Sequence, residues 1–356
     1  MKCISSQAFK IIFLKKKSAC YNDSEYAEKR GILMANIKDV ARMAGVSITT
    51  VSRVLNGYPY VAKDKQEKIM AVIKELNYSV NGNAVKLIKG KTNTIGVIVP
   101  YNNNSCYDEL INGILKKAHE LHYQVLLLPS YYENVIESSY LTLLKKKMID
   151  GILLTSHTLH PEQILALSEW GKIVCCEACP VELVSSVFPD RFAAYIEVFT
   201  YLKNKGYKRI HFTSGRDFQS SPSTRLRIQA YQETISEAYE GQFFDQCFDY
   251  QDGKRVGDLM FRDSIVPDAI FTNGDEVAAG IIASAKMHGY NYPQDFEIIG
   301  EENTPLSEIL GFPSVDYHQT AIGEQAVSLL LSDEYARIQI RHKLNFRART
   351  EASVLS

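Results

Sequence analysis

From Ile95 onward, apolar runs of four or five residues alternate with longer amphipathic stretches. A short run that is apolar at nearly every position is typical of a strand covered on both faces, as in parallel sheets. The stretches between the runs have helical length and one apolar face. Two series of such runs predict a doubly wound α/β architecture in two lobes. The predicted strands cover residues 95–99, 125–128, 151–154, 172–175, 209–212, 269–272 and 297–300, and the predicted helices include 110–121, 192–204, 224–237 and 277–287.

Length and composition exclude several classes of protein. A chain of 356 residues suits two or three domains, and 46% hydrophobic with 23% charged residues is ordinary for a soluble globular protein. No apolar run approaches the ~18 residues that a membrane span requires. Seven cysteines, an odd number, favour reduced thiols in a cytoplasm over a secreted disulfide framework. The apolar stretch 9–14 precedes its lysines, whereas an export signal carries them first, so no export signal is expected.

Charge is divided unevenly along the chain. Residues 34–92 contain ten Lys or Arg and four Asp or Glu, whereas the residues after 92 carry a formal charge of −11. A basic head on an acidic body is typical of a protein whose head touches a polyanion. A solvated basic face is the alternative explanation of the same charge.

The basic region contains three predicted helices. Residues 39–44 form the first, Gly45 ends it, and Ser47 is a favourable N-cap for a second helix that runs to Asn56. The third, over residues 64–76, has apolar residues at the i, i+3, i+4, i+7 spacing of one face. Two short helices joined by a tight glycine-containing turn form a helix-turn-helix.

Four ordered motifs in this region resemble the head of the lactose-repressor (LacI/GalR) family: Asp-Val-Ala at 39–41, Ala-Gly-Val-Ser at 44–47, Thr-Val-Ser-Arg-Val-Leu-Asn at 50–56 and Glu-Leu-Asn-Tyr at 75–78. The resemblance implies that the second helix enters the major groove of DNA. The contacts that it implies are the base readers Ile48, Thr49 and Arg53 and the further DNA contacts Ile37, Ser47, Thr50 and Asn56. The chemistry agrees, because an arginine can pair with guanine and an isoleucine can pack on a thymine methyl. A small helical core without a DNA role is the alternative.

The same resemblance implies a hinge helix within residues 81–93. There, Leu87 matches a leucine that is levered into the minor groove to kink the duplex. Packing of Leu87 on the body is the alternative. The chain departs from the family pattern in having Val80 where Pro is usual and Ala62 where Ser is frequent.

The alternating region resembles the type I periplasmic-binding-protein fold, which forms the effector domain of the same family. The resemblance implies a first lobe from about Thr94 to Cys176 that regains the chain near Tyr317, with ligand bound between the lobes. The effector contacts that it implies are Tyr107, Arg227, Tyr250, Asp275 and Glu302. For each of them, an interlobe salt bridge or ordinary packing is the alternative role.

Two departures from the family pattern fall in this predicted site. Glu302 stands where the family has Asp, and Gly274 stands where an Asn commonly contacts ligand. A known sugar therefore cannot be transferred from the family to this chain. Two other motifs are incomplete and do not support an enzyme. Gly90-Lys91-Thr92 lacks the earlier glycine of a phosphate-binding loop, and the Cys176–Cys179 pair lacks the second pair that a zinc site requires.

The predicted domains are a helix-turn-helix at 34–80, a hinge helix and linker at 81–93 and an effector and dimerisation domain at 94–356. Residues 1–33 are either an N-terminal extension or precede the true start. The family implies a cytoplasmic homodimeric repressor, without cofactor or metal, that a sugar or sugar phosphate releases from a pseudo-palindromic operator. A regulator whose effector strengthens DNA binding is one alternative, and a sugar-binding receptor without a DNA role is another.

Overall fold

The computed structural model describes residues 35–55, 57–78, 90–101, 105–181, 184–235, 242–262 and 266–347. The chain divides into two compact units, with the boundary between Gly90 and Lys91. Within the described residues, no helix combines the length and apolar character needed to cross a membrane. The predicted hinge residue Leu87 and the predicted DNA contact Asn56 lie outside the described residues.

The first unit contains three short helices, α1 (Ile37–Ala44), α2 (Ile48–Leu55) and α3 (Lys63–Glu75). Helix α1 begins two residues before the predicted start because Asn36 caps it: its side chain accepts hydrogen bonds from the amides of Lys38 and Asp39. Gly45 ends the helix in the left-handed conformation, with φ 67°. The three helices share a small buried core that includes Val40, Ala41, Ala44, Val51, Ile69 and Val72.

The second unit alternates strands and helices. In chain order it contains β1 (Thr94–Val99), α4 (Ser105–Glu120), β2 (Gln124–Pro129), α5 (Asn134–Lys145), β3 (Gly151–Leu154), α6 (Pro161–Ser168), β4 (Lys172–Cys175), β5 (Ser185–Pro189), α7 (Arg191–Asn204), β6 (Ile210–Thr213), α8 (Pro222–Thr234), β7 (Phe243–Phe244), α9 (Tyr250–Arg262), β8 (Ala269–Phe271), α10 (Asp275–Met287), β9 (Glu297–Glu301), α11 (Pro305–Leu310), β10 (Ser314–Asp316), α12 (Gln319–Leu331), β11 (Arg337–Ile340) and β12 (Lys343–Asn345).

These strands form two six-stranded sheets, one in each lobe. The first-lobe order is β11-β5-β4-β3-β1-β2, and the second-lobe order is β12-β10-β9-β8-β6-β7. All described pairings are parallel except that of β10 with β12. The seven predicted strands and the doubly wound architecture are thus confirmed.

The first lobe is larger than its predicted extent. It does not end near Cys176, because β5 continues the same sheet and ends at Pro189. The chain then crosses into the second lobe, returns after Tyr317 as predicted, and crosses again between Ile340 and Lys343. Strand β5 escaped prediction because serines and a proline interrupt its apolar run. Strand β7 was not predicted because it is only two residues long, and β10, β11 and β12 were not predicted because polar residues flank or alternate with their apolar ones.

Glycine pairs allow close helix crossings in both lobes. In the first lobe, a Cβ added to Gly113 of α4 would lie 2.1 Å from the carbonyl oxygen of Thr320 of α12. In the second lobe, a Cβ on Gly280 of α10 would lie 2.2 Å from the carbonyl oxygen of Tyr250. Both distances are far below van der Waals contact, so these backbones approach only because the side chains are absent.

We expect Gly113→Ala to lower the free energy of unfolding by about 2 kcal/mol, because the added methyl forces α4 and α12 apart. Urea unfolding followed by circular dichroism measures this loss. Gln325→Ala, at an exposed position of α12, is the matched control and should change the unfolding free energy by less than about 0.5 kcal/mol. Equal effects of the two substitutions would contradict the proposed role of the close crossing.

Candidate functional site

A cavity of about 150 Å³ lies between the two lobes of the second unit. Its walls come from loops that follow the carboxyl ends of strands, including those after β1, β3 and β4 in one lobe and β6, β8 and β9 in the other. Parallel α/β sheets bind ligands in this position, because the loops at that end converge from several strands. The cavity is therefore the candidate ligand site.

Arg227 lies in the second-lobe wall, where protein groups bind both terminal nitrogens of its guanidinium. The side chain is 2% exposed, and Nη1 donates to the carbonyl oxygen of Thr213 at 3.0 Å. Nη2 donates to Glu301 Oε1 in a buried ion pair, and the guanidinium lies over the rings of Tyr195 and Phe271. The residue lines the cavity, but its charge is balanced by Glu301 before any ligand arrives.

Glu301 links Arg227 to the points where the chain crosses between the lobes. Tyr317, which follows β10 at the second crossing, donates its hydroxyl to Glu301 Oε1 at 3.0 Å. Arg191, which follows β5 at the first crossing, places Nη1 3.9 Å from Glu301 Oε2. Burial, and then the nearby Glu301 charge, raise the pKa of Tyr317 well above its usual value. The neutral phenol therefore serves as a donor to this carboxylate.

Glu302 lines the cavity as predicted by position, at the end of β9. Its backbone is in the left-handed region, with φ 93°. A Cβ added to Gly274 would have the Glu302 carboxylate as its nearest neighbour, 3.5 Å from Oε1. The two departures from the family pattern therefore compensate each other in space, because the longer acid lies beside the position that lacks a side chain.

Tyr107 lines the opposite wall, in the first lobe. Its hydroxyl is 3.0 Å from that of Tyr132, whose hydroxyl donates to Ser156 Oγ at 3.3 Å. Tyr250 is not among the residues lining the cavity: it begins α9 and its side chain is 39% exposed. Phe248, two residues earlier in the loop before α9, lines the cavity in its place.

Asp275 is not among the residues that line the cavity. Its carboxylate accepts hydrogen bonds from the neighbouring loop and from β10 instead. Oδ2 accepts hydrogen bonds from the backbone amide of Thr304 at 2.6 Å and from its hydroxyl at 2.9 Å. Oδ1 accepts from the Ser314 hydroxyl at 2.7 Å. Burial raises the pKa of Asp275 to about 6, although these hydrogen bonds oppose the shift. Asp275 thus fixes the loop that follows Glu302, and the structure shows no contact between it and the cavity.

Residues that shape the cavity and that sequence reasoning missed include Tyr132, Arg216, Phe248 and Glu301. Tyr132 follows β2 and Arg216 follows β6, so the rule that polar or aromatic residues just past a buried strand face the ligand would have found them. Glu301 ends β9 directly before Glu302, and the sequence alone does not show which of two adjacent glutamates is buried.

Near the cavity, Cys179 interacts with Cys175 and not with Cys176, its partner in the C-x-x-C motif. Cys176 lines the cavity, whereas Cys175 and Cys179 share a hydrogen bond that lowers the pKa of Cys179 to about 7. All three are free and buried. Within the part of the chain that the structure describes, no group of three His, Cys, Asp or Glu side chains could hold a metal ion.

The second helix of the head presents most of its predicted DNA contacts to solvent. Ser47, Ile48, Thr49 and Arg53 are exposed, and Ile48 is 45% exposed although it is apolar. Ser47 Oγ accepts a hydrogen bond from the Thr50 amide at 3.2 Å and lies 2.8 Å from the Thr50 hydroxyl, which closes the first turn. Thr50 and Ile37 are half-buried. An exposed isoleucine beside two hydroxyl side chains suits the apolar and polar edges of a base-pair step.

Two family models match the chain. Residues 36–81 match "Bacterial regulatory proteins, lacI family", and residues 92–347 match "Periplasmic binding proteins and sugar binding domain of LacI family". Catabolite control protein B of Bacillus subtilis is 44% identical over 315 residues, covering 88% of this chain and all of that protein. Catabolite control protein A of Priestia megaterium is 30% identical, covering 88% of this chain and 99% of that protein.

Solved structures share the fold. The lac repressor dimer bound to operator and the anti-inducer ONPF is 20% identical, covers 88% of this chain and 98% of its own, and has a TM-score of 0.73. A LacI-family regulator from Lactobacillus casei with bound glucose is 24% identical, covers 72% of this chain and 99% of its own, and has a TM-score of 0.64.

We expect Asp275→Asn to flatten the pH dependence of stability. A folded-state pKa of about 6, above the ordinary 3.8, contributes stability at low pH that is lost as the pH rises through 6. Asparagine does not ionise, so the variant should lose less unfolding free energy than the parent between pH 4 and pH 7, by on the order of 2 kcal/mol. Urea unfolding at both pH values measures the difference. Asp295→Asn, an exposed carboxylate of the same lobe, is the control; parallel profiles for parent and Asp275→Asn would contradict the assignment.

Proposed function

The chain belongs to the LacI family of DNA-binding transcriptional regulators, and from this premise we propose that it represses transcription and is released from its operator by an uncharged sugar-like ligand. The observation that carries the proposal is one chain with two features: an exposed α2 surface suited to base edges, and a polar, aromatic cavity between the two lobes of a sugar-binding domain. The proposed function consists of binding DNA and a small ligand, without a chemical step.

The DNA contacts follow from position and chemistry. Arg53 suits bidentate pairing with guanine, and Ile48 and Thr49 suit contact with base edges. Ile37, Ser47, Thr50 and Asn56 are proposed as further DNA contacts, and Leu87 as the minor-groove wedge of a hinge helix. We propose that the protein is cytoplasmic, because its proposed function requires direct contact with DNA.

The charge of the cavity walls favours an uncharged ligand. Its described lining contains three arginines, of which the buried Arg227 is paired with Glu301, and four glutamates. The walls therefore carry a formal charge of −1, which disfavours a phosphate. Aromatic rings and carboxylates together suit the apolar faces and hydroxyl groups of a sugar. Among the predicted contacts, Tyr107, Arg227 and Glu302 remain proposed effector contacts, whereas Asp275 is proposed as a positioning residue and Tyr250 carries no proposed role.

We infer a homodimer that reads a two-fold operator, as in the lac repressor structure. Strand β2 lies at the edge of the first sheet and exposes Leu126 and Leu127, 42% and 39% respectively, and Leu121, in the turn before β2, is also exposed. An exposed apolar patch at a sheet edge is a typical association surface. Two-fold symmetry of the dimer would require two half-sites in the operator.

We expect Arg53→Ala to relax sequence discrimination at one base pair and to weaken operator binding by ~1–3 kcal/mol. Fluorescence anisotropy with a fragment upstream of the protein's own gene, and with single-base variants of it, measures both effects. Lys74→Ala removes the same charge from α3, outside the proposed reading helix, and should leave discrimination between bases intact. Unchanged discrimination in Arg53→Ala would remove that residue from the readers.

We expect a neutral monosaccharide or disaccharide, and not its phosphate ester, to raise the melting temperature of the protein and release the operator fragment. Glu302→Gln should weaken binding of that sugar by about tenfold, because a charge-assisted hydrogen bond is worth about 1.5 kcal/mol. Isothermal titration of a panel of sugars and their phosphates measures this. Glu308→Gln, exposed on α11, is the control; tighter binding of the phosphate than of its parent sugar would overturn the charge argument.

A further inference from the structure

A strained turn in the first lobe presents Tyr132 to the cavity. Tyr131 and Tyr132 are consecutive non-glycine residues in the left-handed region, with φ 54° and 57°. Such backbone costs of the order of 1–3 kcal/mol per residue and persists only where its surroundings determine it. Strain of this kind is concentrated at functional sites, and the side chain that this turn carries into the cavity wall is Tyr132.

A buried carboxylate supports this turn. The Ser130 hydroxyl donates to Glu137 Oε1 at 3.0 Å and accepts from the Tyr132 amide at 3.4 Å. Glu137 is fully buried, and its other oxygen accepts from the Thr158 amide at 2.8 Å and the Thr158 hydroxyl at 2.9 Å. The turn that carries Tyr132 is thereby joined to the loop that follows β3.

Arg216 is held on the second-lobe side. Its carbonyl oxygen accepts hydrogen bonds from the Ser214 and Thr224 hydroxyls, each at 2.8 Å. Its Nη1 donates to the Ser220 carbonyl oxygen at 3.2 Å. These contacts fix the backbone and one edge of the guanidinium within the second lobe, and the remaining edge extends across the cavity.

The two residues meet between the lobes. The guanidinium carbon of Arg216 lies 4.0 Å from the centre of the Tyr132 ring, and Nη2 donates to Ser156 Oγ at 3.4 Å. The Tyr132 hydroxyl reaches the same Ser156 oxygen. Nearby, the rings of Tyr101 and Phe248 contact edge-on across the same gap, with centres 6.2 Å apart.

We propose that Arg216 and Tyr132 form a latch between the lobes, which sets the balance of lobe arrangements and thereby how far the effector changes operator affinity. This proposal rests on the proposed function in one respect, that operator binding responds to lobe arrangement. A partly desolvated stack of guanidinium on tyrosine shifts a two-state balance by about 5- to 30-fold. A ligand that fills the cavity must pack on this pair or displace it. Ligand binding therefore changes the balance between the lobe arrangements through these two residues.

Hydrogen–deuterium exchange of the full chain, followed by mass spectrometry, tests the latch without DNA. Arg216→Ala should accelerate amide exchange in both lobes, at residues 131–134 and 155–158 as well as 214–221. Arg225→Ala is the matched control. The described hydrogen bonds of the Arg225 guanidinium go to the carbonyl oxygens of Phe218 and Gln219, which lie in the 214–221 loop of the second lobe. Arg216→Lys, which keeps the charge and loses the planar stack, provides a second variant should the alanine variant fold poorly.

Operator affinity of the same variants, measured by anisotropy, tests the regulatory consequence. Arg216→Ala and Tyr132→Leu should each change the dissociation constant at least threefold in the same direction, and the double variant should match the single ones. Acceleration confined to 214–221 overturns the latch, even if operator binding is specific. Acceleration in both lobes with operator affinity unchanged removes the regulatory role. Absence of sequence-specific binding in the parent overturns the proposed function, and with it the regulatory part, while cross-lobe exchange still decides the physical latch.

Discussion

One buried carboxylate organises the cavity and the crossings of the chain around it. Glu301 accepts donors from α8 through Arg227 and from the second crossing through Tyr317, and it attracts Arg191 at the first crossing. Removing such a charge from water is costly, and the cost is offset only when several donors converge on it. Loss of Arg227 would remove the buried counter-charge of Glu301, and loss of Tyr317 would remove a neutral donor from the same oxygen. The shape of the second-lobe wall therefore depends on three distant segments arriving at one oxygen pair.

Much of the fold could be predicted because hydrophobic patterning is local. Mostly apolar runs predicted the strands β1 to β4 and three of the second lobe; most of these strands are covered on both faces, whereas the edge strand β2 exposes Leu126 and Leu127. Strand β11 could not be recognised because its burial alternates and its pairing with β5 joins residues about 150 positions apart. Long-range pairing of short, polar segments leaves no local signal.

The site was predictable in part for a related reason. Arg227 and Glu302 occupy positions that the family pattern marks, and both line the cavity. Asp275 occupies such a position too, but three hydrogen bonds turn it inward to Thr304 and Ser314, which a sequence cannot reveal. The exchange of bulk between Gly274 and Glu302 shows how two departures that look independent in the sequence describe a single change in cavity shape.

The last two strands have a consequence for synthesis of the protein. Strands β11 and β12 are separated by only two residues, yet each completes the edge of a different sheet. A nascent chain therefore leaves the first sheet unfinished until residue 340, and the second until residue 345, has emerged from the ribosome. A product that stops before Arg337 would lack both strands at once and leave β5 and β10 as open sheet edges, each ready to pair with another chain.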